Sequence, residues 1–129
     1  MVLMKCKYCN PEYQSSERTI LANEYFFANY DNHPVSQGHM KIIPKRHVLS
    51  MEELTPEELI AFADMLFKAK DLIGKKYKPD GWNIGYNEGE AAGQTVFHLH
   101  IHLIPRYKGD VEDPTGGIRT ILPRGNYKL

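Results

Sequence analysis

This sequence predicts an α+β domain: an antiparallel sheet of about five strands packed with one long helix. Three observations carry that expectation. The run Val96-Phe97-His98-Leu99-His100-Ile101-His102-Leu103-Ile104 alternates polar and apolar residues, as a half-buried strand does. Thr55-Pro56-Glu57-Glu58 combines a capping box with proline at the first helical position, a strong helix start. Short β-rich runs stand before and after that single helix, an order that suits helix-on-sheet packing.

Taken in order, Cys6-Lys7-Tyr8-Cys9-Asn10-Pro11 reads as a turn, with no helical pattern after Asn10-Pro11. Thr19–Leu21 and Tyr25–Asn29 are strands joined across Asn23-Glu24, and Asp31-Asn32-His33-Pro34 is a loop. His39–Ile43 is a strand that stops at Pro44. In the helix, Leu59, Phe62, Leu66, Ala69 and Ile73 share one face and form its core stripe. The helix fades between Gly74 and Tyr77. Trp82–Tyr86 is a short strand, Glu88 to Gly93 is a glycine-bearing loop, and the histidine strand closes at Pro105. Its apolar face, with Phe97, Leu99, Ile101 and Leu103, meets the core.

The chain has 129 residues, which predicts a single domain, 1–129, with a C-terminal tail at about 111–129. Its 16 basic and 16 acidic residues cancel, so a general grip on nucleic-acid backbone is not expected. No stretch approaches the roughly 20 apolar residues that cross a bilayer, so no membrane partner is expected. The opening Met1-Val2-Leu3-Met4-Lys5 is too short for a signal-peptide core, which points to the cytoplasm. Cys6 and Cys9 suit a metal or a redox pair better than a cross-link.

Alternation puts His98, His100 and His102 on one strand face, each about 6.6 Å from the next at roughly 3.3 Å per residue. Such a row spans about 13 Å, close to the length of a nucleoside phosphate. Besides a plain solvated face, two chemistries fit. The row could hold a catalytic zinc, or one imidazole could attack phosphorus while its neighbours bind the anion. Gly93-Gln94-Thr95, leading into the strand, offers a hydroxyl, an amide and N–H donors for phosphate oxygens, and Asn87 adds an amide. A zinc hydrolase would want a placed carboxylate base, and the nearest acids are the loop residues Glu88 and Glu90.

His98-Leu99-His100-Ile101-His102-Leu103-Ile104 resembles the signature of the histidine triad (HIT) family, of the bacterial and archaeal type with a zinc-binding Cys-x-x-Cys. The likeness extends through Ala92–Val96, Asn83–Asn87, Gly38-His39 and Ile43–His47, and covers the chain from Cys6 to about Asp110. Gln37 departs from the proline common before Gly-His. The resemblance implies a HIT-like fold and hydrolysis or transfer at a nucleoside α-phosphate, through a nucleotidyl-histidine intermediate. It implies His100 as nucleophile, His102 as a phosphate-binding histidine and His39 as a supporting group behind the nucleophile. His98 completes the triad. Asn87, Gly93, Gln94 and Thr95 match phosphate-contacting positions. Asp31 resembles the acid that takes the ribose hydroxyls, its plain alternative being a loop cap.

A purine nucleotide substrate and a homodimer are likewise implied, with Phe27 and Tyr30 as base-pocket candidates. The family acts on nucleoside phosphoramidates or dinucleoside polyphosphates, and Arg106-Tyr107-Lys108-Gly109-Asp110 looks closer to the second kind. Two further readings stay open: a nucleotide-binding sensor without turnover, and a catalytic zinc hydrolase on the histidine strand. Some HIT proteins pair an N-terminal Cys-x-x-Cys with two histidines, which implies a structural zinc on Cys6, Cys9, His47 and His98. A redox pair or two idle thiols are the alternatives. Arg119 and Arg124 in the tail are either polyphosphate contacts or surface charges.

Overall fold

The computed structural model describes residues 6–122. Among these, five strands form one antiparallel sheet: β1 (Thr19–Ala22), β2 (Phe26–Tyr30), β3 (Met40–Pro44), β4 (Gly81–Gly85) and β5 (Ile101–Arg106), in the order β1-β2-β3-β5-β4. A single helical turn, α1 (Pro11–Gln14), precedes them, and the long helix α2 (Pro56–Tyr77) joins β3 to β4.

Because strand side chains alternate, the sheet has two unlike faces. Phe26 and Ala28 of β2, Met40 and Ile42 of β3, and Ile101 and Leu103 of β5 pack beneath Met65, Ala69 and Ile73 of α2. Phe27, Ile43 and Tyr8 form a smaller cluster on the opposite face, with Cys6, Tyr13 and Val96 against it. That second face also carries Lys41 and His102. It is covered by the N-terminal turns and is left partly open.

α2 starts where expected: Thr55 Oγ1 accepts the Glu58 N–H at 3.1 Å, and Glu58 Oε1 accepts the Thr55 N–H at 2.9 Å. It ends at Lys78, which adopts the left-handed conformation. The buried stripe is displaced from the expected one. Glu58 is buried while Leu59 is 43 % exposed, because Arg46 holds the Glu58 carboxylate through two bonds of 2.8 and 3.2 Å. Phe62 and Leu66 pack at the edge of the core.

Several boundaries also differ. Asn10 caps α1 by accepting the Glu12 N–H at 2.9 Å, so Asn10-Pro11 starts a helical turn where none was expected. β4 begins and ends one residue early, and β5 runs through Pro105 to Arg106. The 3-10 turn at Glu90–Ala92 orders the expected loop. Pairing of β3 with β5 stops at Ile42↔Ile101, since the same register would next bring Pro44 opposite Leu99, and proline has no N–H to give. Leu99 donates instead to the Val48 carbonyl at 2.7 Å. Upstream of it the chain bends at Val96–His98, which turns Phe97 out to 50 % exposure and off the core face.

Gly38 lets the chain pass the end of α2 just before His39. Its φ is +91°, and an added Cβ would stand 2.9 Å from Tyr77 Cδ2 and 3.2 Å from Ile73 Cγ2. Gly38→Ala is therefore expected to destabilise the chain by about 2 kcal/mol in urea unfolding. A loss under about 0.5 kcal/mol would show that neither the φ nor the contact constrains this position.

Candidate active site and metal cluster

The open face of the sheet gathers two neighbouring groups of side chains. Asp31, Asn87, Gly93, Gln94, Thr95, His100 and His102 line a cavity of about 310 Å³. Beside it, Cys6, Cys9, His47 and His98 converge. His98 belongs to the second group, so the three histidines share a face without sharing a task. Tyr8 separates them, its ring 5.7 Å from His98 and 5.3 Å from His100.

Backbone groups decide the tautomers, since a carbonyl can only accept. His100 Nδ1 lies 2.8 Å from the His98 carbonyl oxygen, so Nδ1 carries the proton and Nε2 keeps its lone pair. His98 Nε2 donates to the Pro44 carbonyl at 2.7 Å, which leaves Nδ1 unprotonated. That atom faces Cys6 Sγ and Cys9 Sγ, both at 3.4 Å, and His47 Nδ1 at 3.3 Å. Cys9 Sγ and His47 Nδ1 are 3.2 Å apart. Two thiols and two imidazole nitrogens thus point at a common centre and could hold a metal ion. Without a cation there, burial and the neighbouring Cys6 push the Cys9 thiol up to about 11. Burial pushes His98 down to about 4, against its bond to Pro44, so the ring stays neutral and able to ligate.

A second chain of tautomers runs through His39. The Val35 N–H donates to His39 Nδ1 at 3.2 Å, so His39 Nε2 bears the proton and donates to His102 Nδ1 at 2.9 Å. His102 then carries its own proton on Nε2, which has no protein partner among the described residues. His39 therefore stands behind His102 and not behind His100, as the resemblance had suggested. Asp31 Oδ2 lies 3.6 Å from both His39 Nε2 and His102 Nδ1, and Asp31 Oδ1 accepts the His33 N–H at 2.8 Å. Burial favours protonating Asp31, but the His33 N–H, His39, Lys41 and His102 outweigh it and hold its pKa below the usual carboxylate value. These three residues also bring ligand atoms within 4.8 Å of one another.

Gln94 is placed less openly than its sequence position suggests. Its Oε1 accepts the Gly89 N–H at 2.8 Å and its Nε2 donates to the Val96 carbonyl at 3.2 Å, so the side chain braces the loop. The Thr95 hydroxyl has no partner among the described residues. The base-pocket candidates fall elsewhere. Phe27 is fully buried, and Tyr30 packs on the helix side against Tyr77. Glu88, a candidate base for zinc hydrolysis, accepts from Tyr86 Oη at 2.8 Å and is not part of the cavity wall. Arg119 is exposed and away from the cavity lining, and Arg124 lies outside the described residues. Sequence reasoning missed Lys7, Tyr8, Asn32, His33 and Lys41, all on the wall. The only hint at Lys41 was a charge inside the apolar run Met40–Pro44.

A sheet with this two-sided layout, triad and Cys/His quartet defines a class of small histidine-bearing α+β domains. The HIT domain family model matches residues 12–109, and the chain belongs to the HIT family. It is 37% identical over 107 residues to an uncharacterized HIT-like protein of Methanocaldococcus jannaschii, covering 83% of this chain and 81% of that one. It is 40% identical over 80 residues to the asymmetrical bis(5'-nucleosyl)-tetraphosphatase of Schizosaccharomyces pombe, covering 62% of this chain but only 44% of that protein. Among solved structures, a Zn-bound histidine triad family protein from Mycobacterium smegmatis superimposes with a TM-score of 0.72 at 33% identity, over 84% of this chain and 79% of that one. The five-stranded sheet with one long helix matches the expected fold. No helix among the described residues is long and apolar enough to cross a membrane.

Burial pushes His102 down to about 4, with His100 and His39 adding to the effect. An unfolded histidine titrates near 6.5, so between pH 6.5 and about 4 the unfolded chain binds the extra proton. Stability should consequently fall as the pH drops through that window. At pH 5.5, ring nitrogen shifts of His102 should still report a neutral imidazole; a half-protonated ring at pH 6.5 would contradict its burial.

Proposed function

We propose that this chain cleaves nucleotides at the α-phosphate through a nucleotidyl-His100 intermediate. One observation carries the reading: the His98 carbonyl takes the Nδ1 proton of His100, which leaves an unprotonated Nε2 on a cavity wall rich in donors. Burial lowers the pKa of His100, so the ring is neutral at pH 7. Nε2 donates its lone pair to phosphorus and the bond to the leaving group breaks. The positive charge left on the nucleotidylated ring is stabilised by the His98 carbonyl oxygen, which accepts from Nδ1–H. His102 Nε2–H and the Thr95 hydroxyl donate to the non-bridging oxygens, where charge develops. Water then attacks phosphorus, the N–P bond breaks, and a proton passes to solvent as the nucleoside monophosphate leaves. Asp31, ionised at neutral pH, takes the ribose diol. Dinucleoside polyphosphates are the favoured substrates and phosphoramidates the runner-up; the similarity to the S. pombe bis(5'-nucleosyl)-tetraphosphatase supports the first.

The metal in the quartet is zinc in this reading. A tetrahedral zinc with nitrogen bonds of about 2.0–2.1 Å sets its nitrogen ligands about 3.3 Å apart. The 3.3 Å between His47 Nδ1 and His98 Nδ1 fits that edge. Four protein ligands leave no open coordination position, so the ion's part is to fasten the N-terminal turns to the sheet. Cys6, Cys9, His47 and His98 would hold it. A homodimer is proposed too, since Ile60 and Phe67 leave apolar surface on α2, 72 % and 66 % exposed.

A metal-dependent hydrolase using Asp31, His39 and His102 is the second reading, favoured by their close ligand atoms.

Mass spectrometry after brief exposure to diadenosine polyphosphate should show a gain of one nucleotide, absent in His100→Ala. That variant should keep its fold and lose turnover by about a thousandfold or more. A folded His100→Ala with wild-type turnover removes the nucleophile. Freshly purified protein should contain about one zinc per chain, and stripping it should lower the melting temperature. Turnover lost on chelation while the fold survives, and restored by metal, would favour the second reading.

A further inference from the structure

The cavity wall carries His100, His102, Asn87 and Thr95 from the histidine strand and the loops before it, and Asp31, Asn32, His33 and Lys41 from β3 and the loop before it, with Tyr8 beside both His100 and Lys41. On the nucleotide reading, on which this inference rests, the first group takes the phosphate. Displacement at phosphorus runs in line, so the leaving group departs on the side opposite His100 Nε2, away from the sheet. The nucleoside must therefore lie sideways. Asn87 and Thr95 occupy the loops beyond β4, which leaves β3, one strand spacing or about 4.8 Å across, as its floor.

Lys41 is the feature of that floor. It pairs with His102 across β3 and β5, faces the same side, and is 4 % exposed. Its Nζ donates to Tyr8 Oη at 3.2 Å and to Tyr13 Oη at 3.4 Å, and lies 5.0 Å from the Tyr8 ring centroid. No other hydrogen bond or ion pair engages it among the described residues, so one N–H remains. Asn29, its partner across β2 and β3, donates to Tyr13 Oη at 3.3 Å, while its buried Oδ1 is unmatched. A buried ammonium with no carboxylate in contact is costly unless a ligand supplies an acceptor.

We propose that Lys41 reads the base and selects a 6-oxopurine over a 6-aminopurine. Guanine presents two acceptors, O6 and N7, along one edge, whereas adenine sets the N6 donor beside N7. A fixed N–H donor is matched by the first pattern and opposed by the second. Opposition leaves both donors without acceptors in a dry site.

GMP and AMP differ only in the base, so their affinities isolate this effect. Calorimetric titration of the full chain, purified with zinc present, should show GMP binding about tenfold more tightly than AMP. In Lys41→Met, close in length and without a donor, the ratio should fall to within about twofold. Lys41→Leu, which also lacks a donor, serves if the methionine chain does not fold. Equal affinities in the wild type, a preference for AMP, or a ratio unchanged in the variants would each overturn the assignment. If that happens while His100 still gains a nucleotide mass, Lys41 alone loses its role. Failure to bind either nucleotide overturns both readings.

Discussion

The bond from His100 Nδ1–H to the His98 carbonyl oxygen, 2.8 Å long, is the contact around which the rest of the site is arranged. It decides which nitrogen of His100 is free, and it works only while His98 stays in place. His98 is held at both ends of its ring, by the Pro44 carbonyl on one side and by the Cys/His quartet on the other. A metal in that quartet would thus act on His100 through one residue's backbone, without entering the cavity. The parallel chain from Val35 through His39 leaves His102 in the opposite tautomer. One ring offers a lone pair and its neighbour offers a proton, an asymmetry that two identical side chains owe to a backbone carbonyl in one case and to the His39 ring, set by the Val35 N–H, in the other.

The two faces of the sheet divide the labour. The face under α2 is apolar and closed, with Met40, Ile42, Ile101 and Leu103 at 2 % exposure or less. The opposite face is capped by residues 6–14, whose aromatic side chains Tyr8 and Tyr13 pack on the small core, Tyr8 also forming part of the cavity wall. Tyr8 lies between Cys6 and Cys9 in the sequence, so the turn that would wrap a metal also presents that ring to His100 and Lys41. Fold stability and site shape are coupled at this turn.

Period-2 alternation made the histidine face legible, and the capping box made the start of α2 legible to the residue, because both are local patterns. The convergence of Cys6 and Cys9 with His47 and His98 came through family resemblance, since ligands so far apart in the chain leave no local trace. What was not legible depends on tertiary partners. Glu58 displaced Leu59 from the buried stripe because Arg46, twelve residues earlier, binds its carboxylate. Phe97 left the core face because Pro44 ends the ladder with β3. His39 was assigned to the wrong histidine because nothing in a sequence fixes which of two same-face rings a third will meet. Lys41 was passed over inside its strand, and its burial depends on the covering tyrosines.

The most direct measurement is the tautomeric state of His100 in the resting protein at pH 7, by nitrogen-15 spectroscopy of the ring. A protonated Nδ1 and a bare Nε2 is the expected result, and it should persist when the ring of His102 shows the reverse arrangement. A proton on Nε2 of His100, or rapid exchange between the two forms, would mean that the His98 carbonyl does not decide which nitrogen of His100 is free.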